Sequence, residues 1–429
     1  MFPSNLIKKS GIYLFFDVLR NGMPFFLLPI LFRTFGPQEY GMLANFNNLL
    51  AILLIIVGLN SGGLVEISFF KTSSTELKRI ISAVISLGLI VTTIVCLVAL
   101  PFLEMISHQL LIPKVWLLAV IPAAFCQFAI NIQLTLYQTQ EQPLKFGYLQ
   151  FLQTFANFSL TILLVFTLEL GPTGRLAAIA ATNFIFFILC FRKLSSIKQI
   201  KKTDLPSLKE AAFFGAPLVV HGVAGWALTG ADKFIINSFI DTRSVGIYSA
   251  AFQLALIVNI ICIAFNRSFV PWLFQQLSSE EINRDKIVRG TYLMFGVILG
   301  GASFYGLIAS YLAPYLLGDE FRKTTSIILP ISIGFGLNGL YLLVVNYIFF
   351  FKQTKLLAKI TLSISCLHLA LCMLLTFSFG VNGSVAAFVI SNALSFLTVW
   401  IYSQRVYPMP WIKALTQAPG QTAIHRVKS

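Results

Sequence analysis

Charge is what this chain has least of. Only 11% of its 429 residues are Asp, Glu, Lys or Arg, against 57% hydrophobic, and the mean hydropathy is +0.83. That leaves too little polar surface to cover a globule in water, so a soluble fold is excluded. Cysteine is sparse and unpatterned. The six (Cys96, Cys126, Cys190, Cys262, Cys366, Cys372) fall in or beside apolar runs without a Cys-x-x-Cys pair, so they read as small packing residues, with no disulfide or metal framework expected. Long polar stretches are missing too. The longest runs from Arg192 to Glu210, which leaves no room for an extramembrane domain. No cleavable signal is expected, because the first apolar run is long, holds Asp17 and Arg20, and lacks a small-residue cleavage site.

What the chain does have is about twelve apolar runs, each long enough to cross about 30 Å of hydrocarbon as a helix. They lie near 11–33, 41–65, 80–101, 115–138, 146–168, 175–191, 211–240, 245–268, 288–311, 326–350, 356–379 and 383–403. The expected fold class is therefore an all-α polytopic membrane protein of about 12 transmembrane helices. Basic residues set its orientation. The N-terminus (Lys8, Lys9), the loop with Lys71, Lys78 and Arg79, the central linker, the loops around Arg284 and around Lys355, and the tail alternate so as to share one side. The opposite loops carry only Arg33, Lys114, Arg175, Arg243, Arg322 and Lys323, so the positive-inside rule places both termini in the cytoplasm. The formal charge of +15 is then a topology signal. Its scatter over many loops argues against nucleic acid as a partner.

The chain also starts over at its middle. Glu39-Tyr40-Gly41-Met42-Leu43-Ala44-Asn45-Phe46 follows a first apolar helix, and Ser244-Val245-Gly246-Ile247-Tyr248-Ser249-Ala250-Ala251-Phe252 follows a second long one that opens at Ala216-Pro217. This predicts an N-terminal six-helix lobe (1–191), a basic cytoplasmic linker (192–210), a C-terminal six-helix lobe (211–403) and a basic, disordered cytoplasmic tail (404–429). An even number of helices per half predicts a pseudo-two-fold axis along the membrane normal, as in transporters built from parallel repeats. Gly22, Pro24 and Pro29 in the first helix, and Gly215, Pro217, Gly222, Gly225 and Gly230 in the seventh, predict broken helices at the substrate path.

Phe214-Gly215-Ala216-Pro217, Gly230-Ala231-Asp232-Lys233-Phe234 and Val245-Gly246-Ile247-Tyr248-Ser249-Ala250-Ala251, with Pro29-Ile30-Leu31, Phe35-Gly36-Pro37 and Glu39-Tyr40-Gly41 in the first half, resemble the hallmarks of Wzx-like O-antigen flippases. These form the polysaccharide branch of the exporter superfamily that also holds multidrug extruders and lipid II flippases. The resemblance implies a MATE-like fold, no cofactor, no enzymatic chemistry, and movement of an undecaprenyl-diphosphate-linked oligosaccharide from the inner to the outer leaflet of the bacterial cytoplasmic membrane. It also implies membrane lipids, a polysaccharide polymerase and a chain-length regulator as partners.

Candidate site residues follow from charge inside the apolar runs. Arg20 falls near mid-bilayer, where an arginine costs at least about 2.5 kcal/mol unless it faces a wet cavity or a partner. It suits an anion, or a pair with Asp17 three positions earlier. Asp232 and Lys233 come late in the seventh span; their match to the family motif implies a substrate-binding or gating role, with snorkelling as the rival reading. His221 lies deeper. Arg267 and Glu66 are expected at cytoplasmic helix ends, as a headgroup ligand or anchor and as a proton carrier or cap. Asn131, Gln253 and Asn338 stand for a wider set of amides suited to a glycan or to interhelical bonds. Asp17, Glu66 and Asp232 are the candidates for a coupling ion. Tyr40, Trp116, Trp272, Tyr311, Trp400 and Trp411 flank helix ends and read as interfacial belts.

Two other functions fit the composition. A membrane glycosyltransferase or polymerase would need acids on the outer loops, which offer only isolated Glu39, Glu104, Glu169, Asp241, Asp319 and Glu320. A cation-coupled multidrug exporter would want acids in its cavity, whereas the charges here lean basic. A sugar-type facilitator would carry a Gly-rich Asp-Arg motif that 71–79 lacks.

Overall fold

A computed structural model describes residues 4–59, 61–196, 203–279, 281–351, 353–411 and 425–426. Among them are fourteen α-helices: α1 (Ser4–Thr34), α2 (Pro37–Gly58), α3 (Gly62–Lys71), α4 (Ser74–Ala99), α5 (Leu103–Leu110), α6 (Lys114–Thr139), α7 (Pro143–Ile162), α8 (Gly171–Ser196), α9 (Leu205–Phe239), α10 (Thr242–Leu277), α11 (Arg284–Leu317), α12 (Thr325–Phe350), α13 (Thr354–Phe379) and α14 (Val381–Val406). Eleven helical segments are long and apolar enough to cross a membrane, and α1, at 31 residues, has the length of a twelfth. The polytopic all-α fold read from hydropathy is thus present. Phe26, Phe213 and Phe377 are more than 70% exposed, a surface tolerable only against lipid.

The chain divides by contact into two compact units. One comprises Met1–Trp226 with Asp241–Gly246, the other Ala227–Ile240 with Ile247–Ser429. In the first, Phe128 of α6 inserts between two glycines: a Cβ on Gly58 of α2 or on Gly88 of α4 would come within 2.8 Å of its ring. Small residues let these helices close on one aromatic plug, the packing available where helices have no hydrophobic drive toward one another. The repeated glycines meet in the same unit. A Cβ on Gly41 would lie 1.9 Å from the Thr242 carbonyl oxygen, and one on Gly246 1.8 Å from that of Pro37, so the first turns of α2 and α10 touch backbone to backbone.

The expected breaks in the first and seventh helices are corrected: α1 and α9 run unbroken. An interior proline removes one backbone bond but need not end a helix whose neighbours hold it. The interruption falls in the second helix instead. Leu59 caps α2 in the left-handed region (φ +45°), and the chain restarts from Ser61 into α3. The backbone of α9 abuts this break, since a Cβ on Gly215 would sit 2.5 Å from the Leu59 carbonyl oxygen.

The second unit has an aromatic core in which Phe295, Phe396 and Trp411 are buried against Tyr292 and Trp400. Two corrections follow. Trp411 is no interfacial belt residue, and the segment beyond α14 does not begin as free tail. Tyr292 donates to the Trp411 carbonyl at 3.2 Å, and Gln404 both accepts from the Met409 N–H (2.8 Å) and donates to its carbonyl (3.0 Å). Large aromatics gain more from a closed core than from the interface. A two-residue antiparallel pairing of Glu281–Ile282 with His425–Arg426 completes the described backbone.

Candidate functional site

In the second unit, four helices bring polar side chains to one closed point. On α13, His368, Cys372 and Thr376 follow at i, i+4 and i+8, and so share one face. Asp232 comes from α9, Tyr248 from α10, and Ser384 and Ser391 from α14. Asp232 and His368 are both 0% exposed. His368 Nε2 stands 2.7 Å from Asp232 Oδ1, Tyr248 donates its hydroxyl to Oδ2 at 2.5 Å, and the Cys372 thiol donates to Oδ1 at 3.5 Å. His368 Nδ1 lies 2.9 Å from Ser391 Oγ. It accepts from that hydroxyl when the ring is neutral with its proton on Nε2, and donates to it whenever Nδ1 carries a proton. Below, Thr376 and Ser384 share a hydrogen bond of 2.6 Å. A buried carboxylate in a membrane fold survives only when so surrounded.

The donor atoms of Asp232, His368 and Cys372 all lie within 4.8 Å of one another, close enough to consider a metal. Two ligands of one tetrahedral zinc stand about 3.3 Å apart, given metal–ligand bonds of about 2.0 Å. The 2.7 Å carboxylate–imidazole distance is shorter than that and is the length of a hydrogen bond. The cluster is a hydrogen-bonded carboxylate–imidazole pair.

The first unit holds polar groups differently. A cavity of about 280 Å³ beside the α2–α3 break is lined by Leu54, Ile55 and Gly58 of α2, Gly62, Gly63 and Glu66 of α3, and Phe128, Asn131, Ile132 and Thr135 of α6. Behind it runs a chain of amides. Gln153 donates to Gln127 Oε1 (2.7 Å) and to Asn183 Oδ1 (3.2 Å), and Gln127 donates to Asn131 Oδ1 (3.0 Å). Further along the unit, Arg175 donates to Asn157 Oδ1 (2.6 Å) and Thr161 Oγ1 (2.5 Å).

The residues singled out in the sequence are thus distributed. Glu66 and Asn131 meet at the cavity. Glu66 does not end the second helix but sits inside α3, because the chain breaks at Leu59 and restarts, and Arg267 lies within α10, well before its end at Leu277, because that helix runs on past the apolar stretch. Asp232 does not snorkel; it is enclosed, and its neighbour Lys233 donates to the Thr229 carbonyl (3.1 Å) with its ammonium over the Phe252 ring. Arg20 and His221 are exposed on α1 and α9, and Gln253 is half-buried on α10. Asn338 donates to Asn259 (2.9 Å), and Asn346 to Asn266 (2.8 Å). The side chain of Asp17 lies outside the described residues, as do residues 197–202 of the linker and 412–424 of the tail. Sequence reasoning missed His368 altogether and took Cys372 for packing alone. The signal was His-x-x-x-Cys-x-x-x-Thr on one face of an apolar span, where an ionisable residue already calls for a partner.

Comparison with known proteins gives a family and a fold. The family described as "Polysaccharide biosynthesis protein" matches residues 6–277. An Lsg locus protein of Haemophilus influenzae is 26% identical over 87% of this chain and 92% of its own. A Shigella flexneri protein whose name assigns it to O-antigen transport is 24% identical over 93% of this chain and 98% of its own. Among solved structures, the lipid II flippase MurJ superposes with a TM-score of 0.75 at 14% identity, covering 96% of this chain and 91% of that one. An inward-facing multidrug transporter of the MATE family superposes at 0.70 and 11% identity, covering 92% and 94%.

Proposed function

Because the chain belongs to the polysaccharide biosynthesis protein family, we propose that it is a flippase moving an undecaprenyl-diphosphate-linked oligosaccharide from the inner to the outer leaflet of the cytoplasmic membrane by alternating access. The observation that carries this reading is the family match over residues 6–277, which spans both sets of repeated motifs on a transporter fold. Both termini lie in the cytoplasm by the basic-loop count. Arg20, Lys233 and Arg267 serve the diphosphate, and His221 hydrogen-bonds a sugar. Asn131, Gln253 and Asn338 serve the glycan. A polymerase and a chain-length regulator take the product onward.

Coupling falls to Asp232. Being sealed, it meets no large substrate, but with His368 it can hold one proton more or less. Uptake changes the pair from a net charge of −1 to 0. In a low-dielectric interior, that difference is large enough to bias which packing of α9, α10, α13 and α14 is stable. A cation-coupled small-molecule exporter is the second reading, favoured by the likeness to the MATE fold.

Deleting the gene and mapping lipid-linked oligosaccharide by enzymatic access to intact spheroplasts separates the two. Complete units trapped on the cytoplasmic leaflet, and released by the wild-type chain, are the expected result. Unpolymerised units already outside would point to an enzyme, and an unchanged glycolipid pool would favour the exporter.

A further inference from the structure

The cavity in the first unit has a lining that sorts by hydrogen-bonding role. Thr135 donates its hydroxyl proton to the Asn131 carbonyl at 3.0 Å, so what it turns to the cavity is lone pairs. The Asn131 side-chain oxygen is already taken by Gln127, so what Asn131 offers is its NH₂ group. Glu66 makes no ion pair or hydrogen bond among the described residues, and its carboxylate accepts twice over. A carboxylate and a hydroxyl oxygen that accept, facing an amide that donates, complement adjacent hydroxyls, each of which both donates and accepts. Phe128, buried between Gly58 and Gly88, gives the lining an apolar edge for the carbon side of such a ligand. A Cβ on Gly62 would reach ordinary van der Waals contact with Ile132 of the lining at 3.9 Å, so a larger side chain there would take up cavity space. A volume of about 280 Å³ sits at the small end of ligand sites, the scale of one ring and its substituents.

From this geometry we infer that the cavity is a subsite for a single neutral sugar ring of the transported glycan, read by Glu66, Asn131 and Thr135 against Phe128. The inference rests on the proposed glycan transport and adds where one ring sits and which groups recognise it. Gln127, Gln153 and Asn183 are positioning residues, because their amide chain decides which end of Asn131 points inward. A cationic drug would use the carboxylate but has no need of the oriented amide.

The test uses the full chain in lipid nanodiscs and saturation-transfer NMR with free hexose, N-acetylhexosamine, hexuronate and aminohexose. Flipping of native lipid-linked oligosaccharide in vesicles is measured separately. At least one neutral sugar should bind saturably. Glu66→Gln should raise its apparent Kd about ten-fold, as for the loss of a charged hydrogen bond, and Gly62→Leu, which fills the cavity, should abolish binding. Gln127→Ala should weaken binding and, because it removes two part-buried hydrogen bonds, also lower the thermal midpoint, so its binding is measured well below that midpoint. Should Gly62→Leu fail to fold, Thr135→Val replaces it. Binding of no neutral sugar, of the aminohexose alone, or equally to wild type and variants overturns the subsite even where flipping is intact. Saturable binding without any flipping keeps the subsite and overturns the transport reading.

Discussion

The two units bury polar groups in opposite ways. In the second, Asp232 is enclosed by a phenol, an imidazole and a thiol, with no exposure left. In the first, Glu66 stands at the edge of a cavity with no such partner among the described residues, while the amides behind it satisfy one another. A charge inside a membrane fold needs either partners or access to water. The enclosed charge is stabilised by its contacts and is available only to something as small as a proton. The open one is available to a ligand. Removing the first should therefore injure the protein, and removing the second only its work.

Asp232→Ala breaks the enclosed pair and leaves His368 buried without its carboxylate. It should lose about 3–5 kcal/mol of stability, read as a lowered thermal midpoint in detergent, and the double variant with His368→Leu should regain part of it. A single variant as stable as wild type would end the contrast between the units. Tyr248→Phe removes one donor from Oδ2 and keeps the ring, so about 1–3 kcal/mol is expected. Glu66→Gln should change stability by less than about 0.5 kcal/mol while lowering transport. An equal loss of stability there would mean that the carboxylate is structural.

The smallest effect lies outside the membrane. Asp204 caps α9, accepting from the Ser207 N–H at 2.9 Å. Its carboxyl is held below the usual value by hydrogen bonds from Ser207, first from its hydroxyl and then from its N–H, and by Arg79. A depressed carboxylate contributes stability above its unfolded value and loses it as pH falls through the folded one. Asp204→Ala should thus show a slightly lower midpoint at neutral pH and none at strongly acid pH. A deficit that persists in acid would assign the effect to backbone propensity.

The spans were legible because hydropathy is a local property, and the predicted runs fall on helices, the run at 41–65 being divided between α2 and α3. The glycine repeat was legible too, and Gly41 and Gly246 explain themselves as a close backbone approach. The break was not. Glycine and proline in α1 and α9 suggested interruptions there, but both helices run through them without a break, and the chain turns instead at Leu59, a residue with no breaker chemistry of its own.

Composition and the period of the apolar runs by themselves determined a polytopic helical membrane protein, since partition into hydrocarbon depends on segments of about twenty residues read one at a time, and the short glycine- and proline-bearing motifs added the resemblance to its family. Which polar residues meet was decided only by the tertiary structure. Asp232 and His368 stand 136 positions apart, and Glu66 and Asn131 come from different helices. No local pattern encodes those pairings, because hydrogen bonds and cavities depend on which faces the packed helices turn toward one another.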